Sequence, residues 1–203
     1  MMRIPRLRDR CGRVLLLATV LSFASFGVML MTGHAGTLTF PATMQPDGNV
    51  LTAPLKVNPR LPAVRPKGSC HVNGELPDST CTPGVADPNV TQQNIQQTIC
   101  VPGYSRKLRN KYAPVNYTDA LKRLQIREYG YQDTRPSSYE EDHLISIELG
   151  GHPNDPRNLW PEAPHSPNAK DRVEDELHQK VYSGQMTLLE AQRIISTDWT
   201  KAK

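Results

Sequence analysis

Aromatic side chains are scarce in this 203-residue sequence, and long apolar runs are confined to its first 31 residues. Aromatic residues make up 6% of the chain and all hydrophobic residues 37%. This composition excludes a multi-pass membrane protein, and the length gives room for one domain of ordinary size plus a tail. The 18 prolines also argue against a coiled coil.

Net charge is nearly absent once residues 1–35 are set aside. Five of the 24 basic residues, but only one of the 20 acidic residues, lie in that segment, so the remainder of the chain is neutral. The remaining charge is segregated, because residues 104–135 are mainly basic and residues 136–198 mainly acidic. Such segregation indicates either a solvated surface with compensating charges or a phosphate-binding surface beside a group of carboxylates.

Residues 1–35 have the three parts of a secretory signal peptide. An arginine-rich start precedes the apolar run 14–31, and Gly33 and Ala35 supply the small residues that a cut after Ala35 requires. Eighteen apolar residues are at the short end for crossing a bilayer, so retention as a membrane anchor is the alternative. We therefore expect an exported protein, secreted or periplasmic, which contacts a membrane only if the leader is retained.

Cysteine is rare in the exported part, and no Cys-x-x-Cys pair is present there. Cys70, Cys81 and Cys100 remain after residue 35, and an oxidising compartment allows one disulfide among them. We predict a Cys81–Cys100 bridge, because these two residues flank a short capped segment, with Cys70 as the odd thiol. The absence of paired cysteines argues against a cysteine zinc site.

The exported chain divides into two parts. Residues 36–88 hold nine of the 18 prolines without a sustained helical or strand period, which predicts an extended linker. Residues 89–203 have the patterns of an α+β domain. The expected elements are a helix from Thr118 to Gly130, a strand pair, a long loop, a helix from Asn168 to about Ser183, and a helix that opens at Thr187. The first strand is predicted over Tyr139–Leu149, because apolar and polar residues alternate from Ile145 to Leu149.

The α+β domain contains three groups of polar residues at a spacing that suggests a catalytic site. Asp142 and His143 are adjacent at the head of the predicted strand, Asn158 follows fifteen residues after His143, and Asn168 follows ten residues later. An Asp-His pair alone is usually an ordinary surface pair. Here the pair precedes a Gly-Gly turn, one asparagine lies in the next loop and another lies at a helix start. This arrangement favours a catalytic role for the pair.

The sequence around these groups resembles the HNH endonuclease family. The resemblance rests on EDHLI at 141–145, ELGG at 148–151, RNLWP at 157–161 and NAKD at 168–171, and it covers roughly residues 139–183. The resemblance implies a core of two antiparallel strands, a long loop and one helix around a divalent metal. It implies a metal-dependent endonuclease that hydrolyses phosphodiester bonds.

The resemblance also implies roles for individual residues. His143 would act as the general base, since an imidazole can accept the proton of an attacking water near pH 7. Asn158 would accept a hydrogen bond from the His143 ring and orient it. Asp142 and Asn168 would bind the metal, with His165 as the alternative to Asn168. Oxygen ligands favour Mg²⁺ or Mn²⁺ over Zn²⁺.

The implied partner is nucleic acid, with DNA favoured over RNA and with weak sequence specificity, because no separate recognition module is visible. The alternative is an exported nucleic-acid-binding or structural envelope module that keeps the fold without turnover. The residues expected to contact the phosphate backbone are Arg109, Lys122, Arg123, Arg157 and Lys170.

Two geometric expectations accompany this interpretation. Neighbouring residues of a regular strand point to opposite faces, so Asp142 and His143 can share one phosphate only where the strand is irregular. We therefore expect the regular ladder to begin after His143. On the helix that follows Asn168, we expect Glu174 and Glu176 to lie on a solvated face.

Overall fold

The computed structural model describes residues 50–202, in which four α-helices and two small sheets form an α+β fold. The expected leader, residues 1–35, lies outside the described residues. No helix within 50–202 is long and apolar enough to cross a bilayer. The helices are α1 (Tyr104–Tyr112), α2 (Val115–Glu128), α3 (Ala169–Tyr182) and α4 (Leu188–Asp198), and the strands are β1 (Leu51–Thr52), β2 (Val85–Ala86), β3 (Glu140–His143) and β4 (Leu159–Glu162).

The predicted strand pair is present, but its position along the chain differs from the prediction. Strands β3 and β4 are antiparallel, with Asp142 opposite Trp160 and His143 opposite Leu159. The expectation that the ladder begins after His143 was wrong, because His143 is the last residue of β3. Four residues pair before the chain turns away, so the regular part of the strand precedes the candidate base.

A buried turn follows β3 where the alternation of residues 145–149 had predicted more strand. Leu144, Ile145 and Ser146 are all buried, so the polar residue does not mark a solvent face. The carbonyl of Ser146 accepts hydrogen bonds from the amides of Leu149 and Gly151, which close the turn. A Cβ atom at Gly151 would lie 1.7 Å from the carbonyl oxygen of Ile145, so only glycine fits at this crossing.

The two C-terminal helices begin where their capping residues predicted. The side chain of Asn168 accepts from the amides of Lys170 and Asp171, and the Asp171 carboxylate accepts from the amide of Asn168. Thr187 caps α4 in a similar way through the amide of Glu190. These caps are local interactions, and the sequence therefore predicted them correctly.

The first two helices are less well predicted. Helix α2 begins at Val115 after Pro114, three residues before the expected cap Thr118, whose hydroxyl instead donates to the carbonyl of Val115. Helix α1 was not expected, and none of its residues is buried. Tyr104, Leu108 and Tyr112 stand at four-residue steps and are half-buried, so the sequence did contain an apolar period, which the prediction missed.

The hydrophobic core holds the β3–β4 hairpin from two sides. Tyr117 and Leu121 of α2 pack against Leu159 of β4 in a small cluster. The larger cluster joins the turn after β3 to α3 and α4. Its most buried members include Leu144, Ile145, Leu149, Leu177, Val181, Ala191 and Ile195.

The described part of the Pro-rich segment is largely extended, and it lies against the domain. Strand β1 pairs in parallel with β2. The amide of Gly68 donates to the carbonyl of Arg127, and the amide of Cys70 donates to that of Glu128, both at the end of α2. Residues 50–88 therefore form part of the packed structure.

Within residues 50–202, a disulfide joins Cys70 to Cys81, whose Cα atoms are 6.0 Å apart. The prediction of a Cys81–Cys100 bridge was wrong. Cys100 is buried in the large cluster with α3 and α4, whereas Cys70 and Cys81 pack against Tyr129 and Trp160. Separation along the chain misled here, because the two ends of segment 81–100 belong to different clusters.

A non-reducing peptide map of the purified protein should therefore recover Cys70 and Cys81 in one linked pair. Replacing both with serine should lower the free energy of unfolding by about 2–3 kcal/mol, since the bridge closes a short loop in the unfolded chain. Urea denaturation checks this value. A linked peptide that contains Cys81 and Cys100 would contradict the structure.

Candidate functional site

A cavity of about 500 Å³ opens beside the end of β3. Its walls come from α1, the start of α2, the turn after β3 and the first half of α3. Asp142 and His143 both line it, although their side chains leave the strand on opposite faces.

The lining of this cavity is strongly acidic. Arg109 of α1 is its basic residue, and His143 is its imidazole. A negatively charged ligand would be repelled from such a cavity unless cations were bound there too. The seven acidic lining residues are Glu140, Glu141, Asp142, Glu148, Asp171, Glu174 and Asp175.

His143 is buried and neutral at physiological pH. Its ring nitrogen Nε2 lies 2.9 Å from the carbonyl oxygen of Pro153. A carbonyl can only accept, so Nε2 carries the proton and the lone pair of the neutral ring is on Nδ1. Burial lowers the pKa of His143 to about 3, and the charges of Arg109 and Lys170 act in the same direction, whereas the bond to Pro153 opposes them.

A buried ammonium group ties Asp142 to helix α3. Lys170 Nζ lies 2.8 Å from Asp142 Oδ2 and 2.5 Å from Glu174 Oε1. It also donates to the carbonyl of His143 at 2.9 Å, and its side chain is 1% exposed. The expectation that Glu174 lies on a solvated face was therefore wrong.

Lys170 is outnumbered by the acids around it. Burial would lower the pKa of Lys170, but the charges of Asp142, Glu174 and Glu162 outweigh this effect and hold the pKa above its usual value. Burial raises the pKa values of Glu162 and Glu174 to about 8, with Asp142 adding to the rise and Lys170 opposing it. At neutral pH these two carboxyl groups therefore hold protons, which a bound cation would displace.

The structure does not support Asn168 as a metal ligand. Its Oδ1 accepts from the amides of Lys170 and Asp171, so both lone pairs of this oxygen are occupied. Its Nδ2 donates to Glu162 Oε2 at 2.9 Å. The alternative ligand His165 is exposed and lies close to the carbonyl of Ser166. Glu174, rather than either of them, lies beside Asp142.

Asn158 is fully buried, but it does not contact the His143 ring. Its Oδ1 accepts from the amides of Val85 and Ile145, and its Nδ2 donates to the carbonyls of Ile145 and His152. All its hydrogen-bonding capacity is therefore used on the backbone. The predicted orienting role was wrong, and the carbonyl of Pro153 takes it instead.

The residues predicted to contact phosphate lie in different environments of the structure. Arg109 lines the cavity, and Arg123 is exposed on α2. Lys122 donates to the carbonyl of Tyr139 at 3.3 Å, and Arg157 is paired with a neighbouring aspartate, Asp155. Lys170 is too deeply buried to touch a nucleic acid backbone, so that part of the prediction was wrong.

Glu141 and Glu174 are the site residues that sequence reasoning missed. Both oxygens of Glu141 are buried without a hydrogen-bond partner, and burial raises its pKa well above the usual value. Nothing in the sequence marked it beyond its place before Asp142. A signal did exist for Glu174: it stands four residues after Lys170 and three before the core residue Leu177, on the buried stripe of α3.

The oxygen atoms beside His143 are of the type that binds a hard divalent cation. Asp142 and Glu174 both contact the Lys170 ammonium, so a cation between them would have to displace that group. Mg²⁺ is commonly held by one or two carboxylates, with water and substrate phosphates completing its shell. Within residues 50–202, no group of three or more His, Cys, Asp or Glu side chains forms a ready metal site. A cation here would therefore depend on these two carboxylates and on further oxygens from water or substrate.

No family model matches the chain, and no curated protein or solved structure is significantly similar to it. Its function must therefore be argued from the side chains themselves.

Replacing Asn158 with alanine should destabilise the protein by about 3 kcal/mol or more. The change leaves buried amides and carbonyls of the hairpin connection without partners, and each such group costs about 1–3 kcal/mol. Urea denaturation measures the loss. The exposed Asn116 on α2 provides the control, since Asn116→Ala should change the free energy of unfolding by less than about 0.5 kcal/mol. Equal effects of the two changes would contradict the buried hydrogen bonds of Asn158 described above.

Lowering the pH from 7 to 5 should weaken the fold through His143. The unfolded chain takes up a proton near the usual pKa of 6.5, whereas the folded ring stays neutral down to about pH 3. By pH 5, this difference in proton uptake should lower the contribution of His143 to the free energy of unfolding by about 2 kcal/mol. Glu162 and Glu174 act in the opposite direction because their pKa values are raised.

The measurement is urea denaturation at both pH values in EDTA, with His143→Gln as the comparison. The variant keeps the acidic residues and lacks the titrating ring, so on going from pH 7 to pH 5 the change in its free energy of unfolding should be more favourable than that of the wild type by about 2 kcal/mol. An equal change in both proteins would show that His143 is not buried in its neutral form.

Proposed function

We propose that this protein is an exported, metal-dependent endonuclease of the HNH type, which hydrolyses phosphodiester bonds of nucleic acid. The observation that carries the proposal is the meeting of His143, Asp142 and Glu174 at one cavity. A neutral imidazole beside two carboxylates combines a proton acceptor with a set of oxygen ligands. Phosphodiester hydrolysis requires both functions.

The order of elements around the cavity supports the same proposal. An antiparallel pair, β3 and β4, is joined by a long connection and followed by helix α3, which carries Glu174. Lys170 ties this helix to the end of β3. Two strands and a helix that share one acidic site are what the resemblance to HNH endonucleases implies.

In the proposed reaction, His143 accepts the proton of the attacking water. Its Nε2–H donates to the carbonyl of Pro153, which holds the ring and leaves Nδ1 as the acceptor. Asp142 and Glu174 would hold a divalent cation, which when bound supplies positive charge against the phosphate. Glu174 takes the place that the sequence assigned to Asn168. Arg109, on the opposite wall, pairs with a phosphate oxygen of the substrate.

The surface beside the cavity supports a nucleic acid substrate. Helix α1 has no buried residue, and Arg106, Lys107, Arg109 and Lys111 are all exposed on it. These side chains are able to bind successive phosphates without reading bases, which favours weak sequence specificity. We propose DNA as the substrate, as the resemblance implies.

A plasmid-nicking assay tests the proposal. The purified protein should nick supercoiled plasmid with Mg²⁺ or Mn²⁺ and should be inactive in EDTA. His143→Ala should lower the rate about 10²–10⁴-fold without changing the metal concentration required, because it removes only the base. Glu174→Gln should raise the metal concentration required for half-maximal cleavage, because it removes a charged ligand.

Matched variants serve as controls in the same assay. Glu176→Gln changes an exposed acid on the same helix, and His165→Ala changes an exposed histidine; both should cleave like the wild type. Asn168→Ala should cost about 1 kcal/mol of stability as a lost cap, with no change in the metal requirement. Wild-type rates from His143→Ala would overturn the proposal. Plasmid binding by the wild type without cleavage would favour a binding module that lacks turnover.

A further inference from the structure

The segment from Lys56 to Lys67, here named the basic loop, combines positive charge with exposed apolar side chains. It carries four basic residues, and no acidic residue occurs between positions 48 and 74. Val57 and Val64 are each 59% exposed and Leu61 is 47% exposed. Single exposed apolar residues are common on proteins, but here three lie within eight positions and line the same cavity. The basic residues of the loop are Lys56, Arg60, Arg65 and Lys67.

Both ends of the basic loop are attached to the domain. At its start, the side-chain amide of Asn154 donates to the carbonyl of Lys56. At its end, the amide of Arg65 donates to Glu128 Oε1 at 2.7 Å, and the amide of Gly68 donates to the carbonyl of Arg127. The loop is therefore held against the domain, and its exposed apolar side chains Val57, Leu61 and Val64 line the open cavity between the two.

Two acidic residues lie beneath the basic loop, and each of them already has a hydrogen-bond partner. The loop covers a cavity of about 940 Å³, whose acidic lining residues are Glu128 and Asp155. Glu128 is buried and accepts from Arg65, and Asp155 is paired with Arg157 at 2.8 Å. Within residues 50–202, Lys56, Arg60 and Lys67 therefore form no ion pair.

We propose that the basic loop docks this protein on the surface of an anionic lipid bilayer. Lysine and arginine side chains bind anionic headgroups, and short apolar side chains between them enter the boundary with the acyl chains. A nucleic acid backbone would also attract the charges, but it offers no apolar region in which Val57, Leu61 and Val64 could be buried. The cavity beneath the loop shares no lining residue with the His143 cavity, so docking leaves the latter open. The proposal does not depend on the proposed nuclease function.

Vesicle flotation tests this docking with the full protein. The wild type is compared on phosphatidylcholine vesicles with and without 30% phosphatidylglycerol, at low and high salt. Binding should be stronger with the anionic lipid, and salt should weaken it. Lys56→Gln/Arg60→Gln should lower affinity for anionic vesicles by about tenfold or more, since each basic residue contributes about 1 kcal/mol there.

Matched pairs of substitutions separate docking from general surface effects. Arg172→Gln/Arg193→Gln removes two exposed charges from α3 and α4 and should leave vesicle binding unchanged. Val57→Ser/Leu61→Ser should weaken binding even at high salt, whereas its control, Val115→Ser/Leu189→Ser, at 72% and 40% exposure, should not.

Two results would overturn the proposal. The first is that both loop variants bind anionic vesicles as tightly as the wild type, because another part of the chain would then be responsible for vesicle binding. The second is that the loop variants lose self-association in sedimentation velocity and keep vesicle binding, which would make the loop a contact between copies of the chain.

Discussion

The candidate site depends on one buried ammonium group. Lys170 projects from the first turn of α3 and contacts the Asp142 carboxylate, the His143 carbonyl and the Glu174 carboxylate. Without it, buried acids would lie close together with no counter-charge, a situation that typically costs about 3–5 kcal/mol. The ammonium thus keeps the acids of a strand and a helix at short range and determines the shape of the site.

The histidine depends on a different kind of support. Its ring is held by a main-chain carbonyl, that of Pro153, and not by the side chain that the resemblance suggested. Asn158 acts one step further away, because it holds the backbone of the connection in which Pro153 lies. The position of the base therefore depends on the whole connection between β3 and β4, where buried amide and carbonyl groups must all find partners.

Charge is unevenly distributed over this nearly neutral protein. The His143 cavity is lined by acids, the face of α1 beside it is basic, and the basic loop lies on a separate part of the surface. An acidic cavity beside a basic helix suits a reaction in which a cation and a polyanion meet. A basic loop with apolar side chains suits contact with an anionic surface. The formal net charge of the chain conceals these differences.

Local chemistry in the sequence was enough to predict the α+β class, the caps of α3 and α4, and the pairing of Asp142 with His143 at one site. These features depend on near neighbours along the chain. The tertiary structure alone decided which carboxylate lies near Asp142, the partner of the His143 ring and the partner of Cys81. Glu174, Pro153 and Cys70 are brought to these places by packing between distant segments. The roles of Asn158 and Asn168 also required the tertiary structure. Both have the expected residue type, but their side-chain oxygens accept hydrogen bonds from backbone amides.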